Sequence, residues 1–102
     1  MLLGLGVDGH TASLFPGQEE FLKTSNLCEV ARHPETHQTR ITLTPSAIQR
    51  STCITYHVIG QQKAKIVSEL VLKPEKNKKY PAASILGEWY LDKAAAFGLK
   101  SC

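Results

Sequence analysis

The sequence predicts an α/β fold whose main sheet is mostly parallel, and three stretches carry this prediction. Residues 1–5 form an apolar run that stops at glycine, which is typical of a short buried strand in a parallel sheet. Residues 52–59 (TCITYHVI) are rich in β-branched and aromatic side chains, which favour a strand. Gly60 ends that strand, and apolar residues then recur at helical spacing over residues 61–72. A strand, a glycine turn and a helix in this order make half of a βαβ unit.

Local patterns predict the remaining elements. Thr44 and Pro45 make a good helix start, because threonine can cap free N–H groups and proline at the first helical position leaves no N–H unpaired. This helix is predicted to end near Arg50. The other predicted elements are a loop over 6–17 with a helical turn beginning near Thr11 or Ser13, a helical or irregular segment over 18–27, strands over 28–31, 39–43 and 88–91, loops over 32–38 and 73–79, a short helix over 81–86 and a closing helix over 92–97.

Length and composition limit the class of protein. The chain has 102 residues, which allows one domain, and 42% of them are hydrophobic, an ordinary share for a globular protein. No apolar stretch reaches the roughly 18 residues of a membrane span, so no membrane partner is predicted. The net charge is +3, and the aromatic residues do not alternate with basic ones as nucleic-acid binding would favour. We therefore expect no nucleic-acid partner, and a monomer or weak oligomer.

Cysteine and histidine spacing gives no sign of a metal or disulfide framework. The cysteines, Cys28, Cys53 and Cys102, are odd in number and lack a Cys-x-x-Cys motif. Reduced thiols predict a cytoplasmic location. His33 and His37 are four residues apart, which on a helix would suggest a metal pair, but a proline lies between them. We interpret that segment as a solvated loop and predict no metal.

The densest chemical signal is the loop Gly4-Leu5-Gly6-Val7-Asp8-Gly9-His10-Thr11 after the first strand. Glycines let the backbone turn sharply, and the carboxyl end of a parallel sheet is where α/β folds bind ligands. The long helix and acidic residue of a dinucleotide site do not follow, so no dinucleotide cofactor is predicted. His10 could accept a proton from water with Asp8 orienting its ring, or it could only bond a backbone carbonyl and structure the turn.

A set of motifs covers nearly the whole chain: LLGLGVDGHTASLFPG, TRITLTPSAI, VIGQQKAKIV, YPAASI and EWYLDKAAA. In content and order these motifs resemble the 6-phosphogluconolactonases. The related glucosamine-6-phosphate isomerases share a Gly-x-Asp-Gly-His core. The run Thr-Ala-Ser-Leu-Phe-Pro that follows the histidine here favours the lactonases.

The resemblance implies a fold and a reaction. The fold would be the C-terminal portion of a Rossmann-like three-layer α/β/α sandwich, so that residues 1–102 form a single, incomplete sugar-phosphate lactonase domain. The reaction would be hydrolysis of 6-phosphoglucono-δ-lactone to 6-phosphogluconate in the oxidative pentose phosphate pathway, without a cofactor. Two alternatives stay open: an enzyme like the glucosamine-6-phosphate isomerases or deaminases, and an inactive fragment that binds sugar phosphates.

The resemblance also implies residue roles. His10 would be the general base that activates water, Asp8 would hold the loop or the ring, and loop N–H groups around Gly9 to Thr11 would donate to the oxygen that gains charge. Arg40 and Lys63 would bind the phosphate. By residue pattern alone, Arg40 could be a surface ion-pair residue and Lys63 could be a solvated helix lysine. The predicted site thus comprises His10 and Asp8 for catalysis, and Gly9, Thr11, Arg40 and Lys63 for substrate binding.

Overall fold

A three-stranded parallel sheet lies at the centre of the fold. The structure, a computed structural model, describes residues 1–72 and 77–99. Its strands and α-helices are, in chain order, β1 (Leu2–Leu3), α1 (Glu20–Lys23), β2 (Cys28–Arg32), β3 (Thr39–Leu43), α2 (Pro45–Ile48), β4 (Thr55–Val58), α3 (Ala64–Leu72) and β5 (Glu88–Leu91). The main sheet has the order β1-β4-β5 with both pairings parallel. The predicted α/β class and parallel main sheet are confirmed.

Strands β2 and β3 form a separate antiparallel hairpin. Side chains alternate between its two faces, and Ala31 and Thr42 are buried on the same face. That face packs on the loop after β1, where the Ser13 N–H donates a hydrogen bond to Thr42 Oγ1 at 3.0 Å. The strand predicted over 39–43 has the predicted bounds, and the hairpin therefore stands beside the glycine-rich loop.

Helix α2 begins where the sequence signals predict, whereas α3 begins at Ala64, later than the start predicted at residue 61. The Thr44 hydroxyl caps α2 by accepting from the Ala47 N–H at 3.4 Å, and it donates to the Asn26 carbonyl at 2.6 Å. The chain leaves β4 through Gly60, whose φ of +96° suits glycine, and one 3-10 turn over Gln61–Lys63 precedes α3. The 3-10 turn after Gly60 therefore lies at the same edge of the sheet as the loop after β1.

The helices pack on one face of the main sheet. Leu3, Tyr56 and Val58 point to that face and join Ile66 and Val67 of α3 in one buried cluster. The opposite face of the strands carries exposed side chains: Leu2, His57 and Tyr90. Over the residues that the structure describes, these are two layers of the predicted sandwich, and the third layer stays a prediction.

Several predicted helices are shorter or tighter than expected. The closing helix over 92–97 is wrong: residues 93–96 form turns and Phe97–Leu99 form a 3-10 helix. The carboxylate of Asp92 accepts the N–H groups of Ala95 and Gly60, which ties these turns to the residues that follow β4. The segment predicted as a helix over 81–86 is a 3-10 helix, Pro81–Ser84.

The predicted helical turn near Thr11 is also wrong. Thr11 and Leu14 form an isolated antiparallel bridge, and Ala12 between them has a φ of +52°. Of the loop predicted over 73–79, residues 73–76 lie outside the described residues, and Asn77–Lys79 form a 3-10 helix. No helix among the described residues has the length and apolar character needed to cross a membrane.

Candidate active site

The loop after β1 is folded by its own hydrogen bonds. The Gly6 N–H donates to the His10 carbonyl at 2.8 Å, and the Gly9 N–H donates to the Gly6 carbonyl at 3.0 Å. Thr11 is buried, and its hydroxyl donates to the Gly4 carbonyl at 2.8 Å. The loop is therefore a compact turn that holds residues 4–11 in one conformation at the carboxyl end of the strand.

Two glycines are required by close approach. A Cβ at Gly6 would lie 2.2 Å from His10 Nδ1, so the imidazole occupies the space that any side chain at position 6 would need. Gly9 has a φ of +88°, and a Cβ there would lie 2.4 Å from Tyr80 Cδ1. A larger residue at either position would clash with a neighbouring side chain. The spacing of the glycines in the sequence does not reveal these contacts.

His10 and Asp8 form a hydrogen-bonded pair. Asp8 Oδ1 lies 2.5 Å from His10 Nδ1, and it also accepts the His10 backbone N–H at 3.2 Å. Burial alone would raise the pKa of Asp8, but the hydrogen bonds and charge of His10 outweigh it and leave that pKa below its ordinary value. Since the carboxylate is ionised, Nδ1 must be the donor, and the lone pair of the neutral ring lies on Nε2. The predicted orientation of the ring by Asp8 is thus present in the geometry.

An aromatic contact supports the far side of the imidazole. The buried ring of Phe15 lies 4.8 Å from the His10 ring, centroid to centroid, at an angle of 41°. On its other edge Phe15 meets His33 at 5.0 Å in an edge-to-face contact. The imidazole is therefore held between Gly6, the Asp8 carboxylate and a phenyl ring.

The His10 loop opens on a cavity that also contains a lysine. The cavity measures about 410 Å³ and is lined by Gly4, Leu5, Gly6, His10, Thr11, Ala12 and Lys63. The ammonium of Lys63 donates to the Leu5 carbonyl and is half-buried, so it is not a solvated helix lysine. An ammonium has three donors, and the other two remain to bind an anion. The cavity thus contains both a proton-accepting ring and a cation.

Arg40 does not line this cavity. Its guanidinium donates from Nε and Nη2 to Gln38 Oε1 at 3.2 and 3.0 Å. Arg40 lies two residues before Thr42 on β3, so its side chain leaves the hairpin on the face that packs against the Ser13 segment. The structure therefore brings His10, Asp8, Thr11 and Lys63 together around one loop and leaves Arg40 at its flank.

The predicted oxyanion donors are largely engaged elsewhere. The Gly9 N–H bonds the Gly6 carbonyl, and the His10 N–H bonds the Asp8 carboxylate. The expectation that loop N–H groups donate to a ligand oxygen stays a prediction, and these two N–H groups would have to leave their bonds within the turn to do so. The ammonium of Lys63, which lines the same cavity as His10, is a further donor at this site.

His33 and His37 lie in a loop, as predicted. His33 Nδ1 accepts the backbone N–H groups of Glu35 and Thr36 at 3.1 and 3.2 Å, which ties the ring to its own turn. Within residues 1–72 and 77–99, no three histidine, cysteine, aspartate or glutamate side chains are grouped as metal ligands.

Four residues that support the site were not found from the sequence. Phe15 flanks the imidazole, Tyr80 packs on Gly9, and Asp92 holds the Gly60 N–H through both carboxylate oxygens at 3.1 and 3.2 Å. The fourth, Tyr56, anchors residues 82–85 from the sheet. Tyr80, Asp92 and Tyr56 act across long sequence separations, whereas Phe15 follows His10 within the same predicted loop.

Comparison with known proteins identifies the family. The family model of the glucosamine-6-phosphate isomerases/6-phosphogluconolactonase matches residues 1–91. A 6-phosphogluconolactonase from Haemophilus influenzae is 49% identical over 100 residues, a match that covers 93% of this chain and 43% of that protein. The chain thus spans less than half the length of this relative.

Solved structures agree with the sequence relatives. The crystal structure of the devB protein matches with a TM-score of 0.87 and 46% identity over 94% of this chain and 42% of that one. The 6-phosphogluconolactonase from Trypanosoma brucei matches with a TM-score of 0.74 and 31% identity over 96% of this chain and 41% of that one. From its sequence match, its fold and these neighbours, the chain belongs to the glucosamine-6-phosphate isomerase/6-phosphogluconolactonase family.

Proposed function

We propose that this chain carries the catalytic loop for hydrolysis of 6-phosphoglucono-δ-lactone to 6-phosphogluconate, a step of the oxidative pentose phosphate pathway. One observation supports it most: His10, whose ring is bonded to Asp8, lines the same cavity as Lys63. The Haemophilus influenzae relative, at 49% identity, is named for this activity. A phosphorylated lactone offers that cavity both an electrophilic carbonyl carbon and an anion.

His10 is the general base in this proposal. Its Nδ1–H is bound to Asp8, so Nε2 can take a proton from a water molecule as the water oxygen attacks the lactone carbonyl carbon. The tetrahedral intermediate then collapses and the ring C–O bond breaks. The imidazolium returns its proton to the departing oxygen, so His10 ends the turnover neutral.

Asp8 acts through His10. Its ionised carboxylate fixes the ring tautomer with the lone pair on Nε2, and it stabilises the imidazolium that forms when the proton arrives. Gly9 and Thr11 contribute by shaping the loop. Gly9 adopts a positive φ, and the Thr11 hydroxyl donates to the Gly4 carbonyl. Neither residue has to touch the substrate for this role.

The phosphate is bound by cations at the cavity and its flank. Lys63 has two donors left after its bond to Leu5, and a half-buried ammonium attracts an anion more strongly than an exposed one. Arg40 shares the face of β3 that meets the loop, and its planar fork suits a phosphate once it releases Gln38. The lactone ring would then lie between these cations and His10.

The proposal also covers the cellular location, the oligomeric state, the partners and the cofactors. The substrate is a free sugar phosphate, so the proposal includes a cytoplasmic location and a chain that acts as a monomer or weak oligomer, without a nucleic-acid or membrane partner. A base on a polar loop suffices for an activated ester, so neither a metal nor a cofactor is part of the proposed mechanism.

The test is formation of 6-phosphogluconate above spontaneous hydrolysis. It is measured for the chain and for a chimera in which the chain replaces the matched region of the Haemophilus influenzae relative. We expect the chimera to hydrolyse the lactone, and His10→Ala to lower turnover by about 10²–10⁴-fold. His57→Ala, an exposed histidine on β4, is the matched control and should leave turnover unchanged.

The outcomes separate the alternatives. Turnover of glucosamine 6-phosphate in place of the lactone would favour the isomerase or deaminase activity. Binding of 6-phosphogluconate without any turnover would identify a binding fragment. Full activity in His10→Ala would reject the base assignment.

A further inference from the structure

We propose that Tyr80 is a positioning residue that couples the His10 loop to helix α3, and so sets the spacing between the general base and Lys63. The proposal rests on the function proposed above and extends it to a residue outside the cavity. Tyr80 contacts the loop with its ring and α3 with its hydroxyl, and each contact is described in turn.

The ring of Tyr80 packs on the backbone of Gly9. A Cβ at position 9 would lie 2.4 Å from Tyr80 Cδ1 and 2.7 Å from Tyr80 Cβ, so the ring fills the space beside the glycine. A backbone bond reinforces this contact, because the Ala82 N–H donates to the Gly9 carbonyl at 3.1 Å. Gly9 directly precedes His10, and any shift of this glycine moves the imidazole.

The hydroxyl of Tyr80 is fastened to α3. It donates to Glu69 Oε2, and this hydrogen bond raises the pKa of Tyr80 above its ordinary value, followed by smaller effects of burial and of the Glu69 charge. The ammonium of Lys79 lies 5.1 Å from the centre of the Tyr80 ring. Tyr80 therefore stays a neutral donor at physiological pH, with an acceptor on α3.

Lys63 stands at the start of the same helix. The 3-10 turn Gln61–Lys63 runs directly into α3, which carries Glu69. Lys63 reaches the other end of the loop, where it bonds the Leu5 carbonyl. The loop between Leu5 and Gly9 is thus joined to one helix at both ends, through Lys63 at the first and Tyr80 at the second.

The Tyr80 segment itself is anchored to the core. The hydroxyl of buried Tyr56 lies 3.1 Å from the Ala82 carbonyl and 2.8 Å from the Ile85 carbonyl. Tyr56 also stacks on Trp89 of β5 at 4.4 Å. The residues after Tyr80 are therefore fixed to the sheet, and the tyrosine side chain is the part that adjusts the loop against α3.

This arrangement predicts a substrate-dependent effect. A lactone whose phosphate is bound by Lys63 meets the base only if the spacing between Lys63 and His10 is correct. A non-phosphorylated lactone is not bound at that point and tolerates a change in spacing. Loss of the Tyr80–Glu69 bond should therefore lower kcat/KM for 6-phosphoglucono-δ-lactone more than for glucono-δ-lactone.

The experiment compares Tyr80→Phe, Tyr80→Ala and Glu69→Gln with the unsubstituted protein, in the chain and in the chimera. Tyr80→Phe keeps the ring on Gly9 and should lower kcat/KM for the phosphorylated lactone about threefold to tenfold, while Tyr80→Ala should lower it about 10²-fold. Tyr90→Phe is the matched control: it removes a tyrosine hydroxyl 3.3 Å from Glu88, on the exposed face of the sheet. That control should change neither substrate.

A second measurement does not depend on activity. The ring signals of His10 in the NMR spectrum of the chain should shift in Tyr80→Phe and split or broaden in Tyr80→Ala, and remain unchanged in Tyr90→Phe. Circular dichroism checks that each variant is folded; if Tyr80→Ala is not, Tyr80→Phe and Glu69→Gln decide the result.

The outcomes distinguish the two proposals. If the unsubstituted chimera does not hydrolyse the lactone, the proposed function fails, and the His10 signals alone decide the role of Tyr80. Equal losses on both lactones with unchanged His10 signals would show that Tyr80 only stabilises the fold. Unchanged kinetics and unchanged signals in Tyr80→Phe and Glu69→Gln would overturn the coupling.

Discussion

The imidazole of His10 packs directly against Gly6. A Cβ at position 6 would lie 2.2 Å from ring atoms Cε1 and Nδ1 of His10 and 2.8 Å from Asp8 Oδ1. Gly6 therefore forms part of the surface that fixes the orientation of the His10 ring. It also donates its N–H to the His10 carbonyl, so the same residue fixes the backbone and the side chain of the histidine. The hydrogen-bonded pair of His10 and Asp8 can form only because position 6 has no side chain.

Gly6→Ala should disable the site without unfolding the chain. The added methyl group has to displace the imidazole from Asp8, because the ring and not a flexible chain end occupies that space. Misplacement of a catalytic group by about 1 Å can cost about 10²-fold in rate, and a loss of that order is expected here. The control is Gly4→Ala, since no atom lies within 4 Å of a Cβ at that position. NMR should show displaced His10 ring signals in Gly6→Ala only; native signals in that variant would contradict the steric argument.

Asp8→Asn should preserve the shape of the loop and remove the negative charge that stabilises the imidazolium. The amide oxygen can accept from His10 Nδ1 and from the His10 backbone N–H as the carboxylate oxygen does, but the neutral amide no longer stabilises the imidazolium that forms when the ring takes the water proton. Turnover should fall by about 10²–10⁴-fold with KM little changed. Steady-state kinetics on the lactone provide the measurement. A rise in KM without a fall in kcat would instead make Asp8 a binding residue.

The same carboxylate predicts how stability depends on pH. The folded pKa of Asp8 is lowered, so its contribution to stability is fully present above the unfolded pKa and is lost as the pH falls through the folded one. The stability difference between the unsubstituted chain and Asp8→Asn should stay constant above about pH 5 and shrink below about pH 4. Asp8 is 45% exposed, which keeps this difference small. Urea unfolding at several pH values tests it, and a difference that grows on acidification would contradict the sign.

The sequence and the structure agree best where the local signal is strong. Strand β3 and the cap by Thr44 are found where a β-branched run and a Thr-Pro start predict them, and strand β5 has its predicted bounds. The closing helix after Asp92 is wrong, and the carboxylate of this residue bonds the Gly60 N–H 32 positions away, a contact that helical periodicity does not encode. Local pattern thus predicts elements, whereas side-chain bonds between distant segments decide where they end.

The site shows the same division. His10 and Asp8 are two residues apart, and their pairing could be proposed from the motif alone. Lys63 reaches the loop across 58 positions, and its bond to the Leu5 carbonyl depends on how β1 and β4 pair in the sheet. The role of Tyr80 was not predicted because its contact with Gly9 arises only once the sheet has formed.

Lys63→Gln should weaken the binding of phosphorylated ligands. Glutamine keeps a donor for the Leu5 carbonyl but removes the positive charge from the cavity. The Kd for 6-phosphogluconate should rise about tenfold, in the range expected when a charge-assisted hydrogen bond is lost, and the Kd for gluconate should change little. Lys65→Gln, an exposed lysine on α3, is the control of equal charge change. Calorimetric titration measures both ligands, and equal weakening for phosphorylated and unphosphorylated ligands would argue against a phosphate contact.

The tyrosines predict an alkaline titration that reports on the support of the loop. Burial raises the pKa of Tyr56, and the hydrogen bond to Glu69 raises the pKa of Tyr80. Both phenols should therefore ionise at a higher pH than an ordinary tyrosine. A raised pKa means that their contribution to stability is complete below the unfolded value and is lost as the pH rises through the folded value. Absorbance at the phenolate band should therefore show a delayed step, and Glu69→Gln should move the Tyr80 part of it to lower pH. If that substitution leaves the titration unchanged, Glu69 does not hold the Tyr80 hydroxyl, and the link between the loop and α3 has to be abandoned.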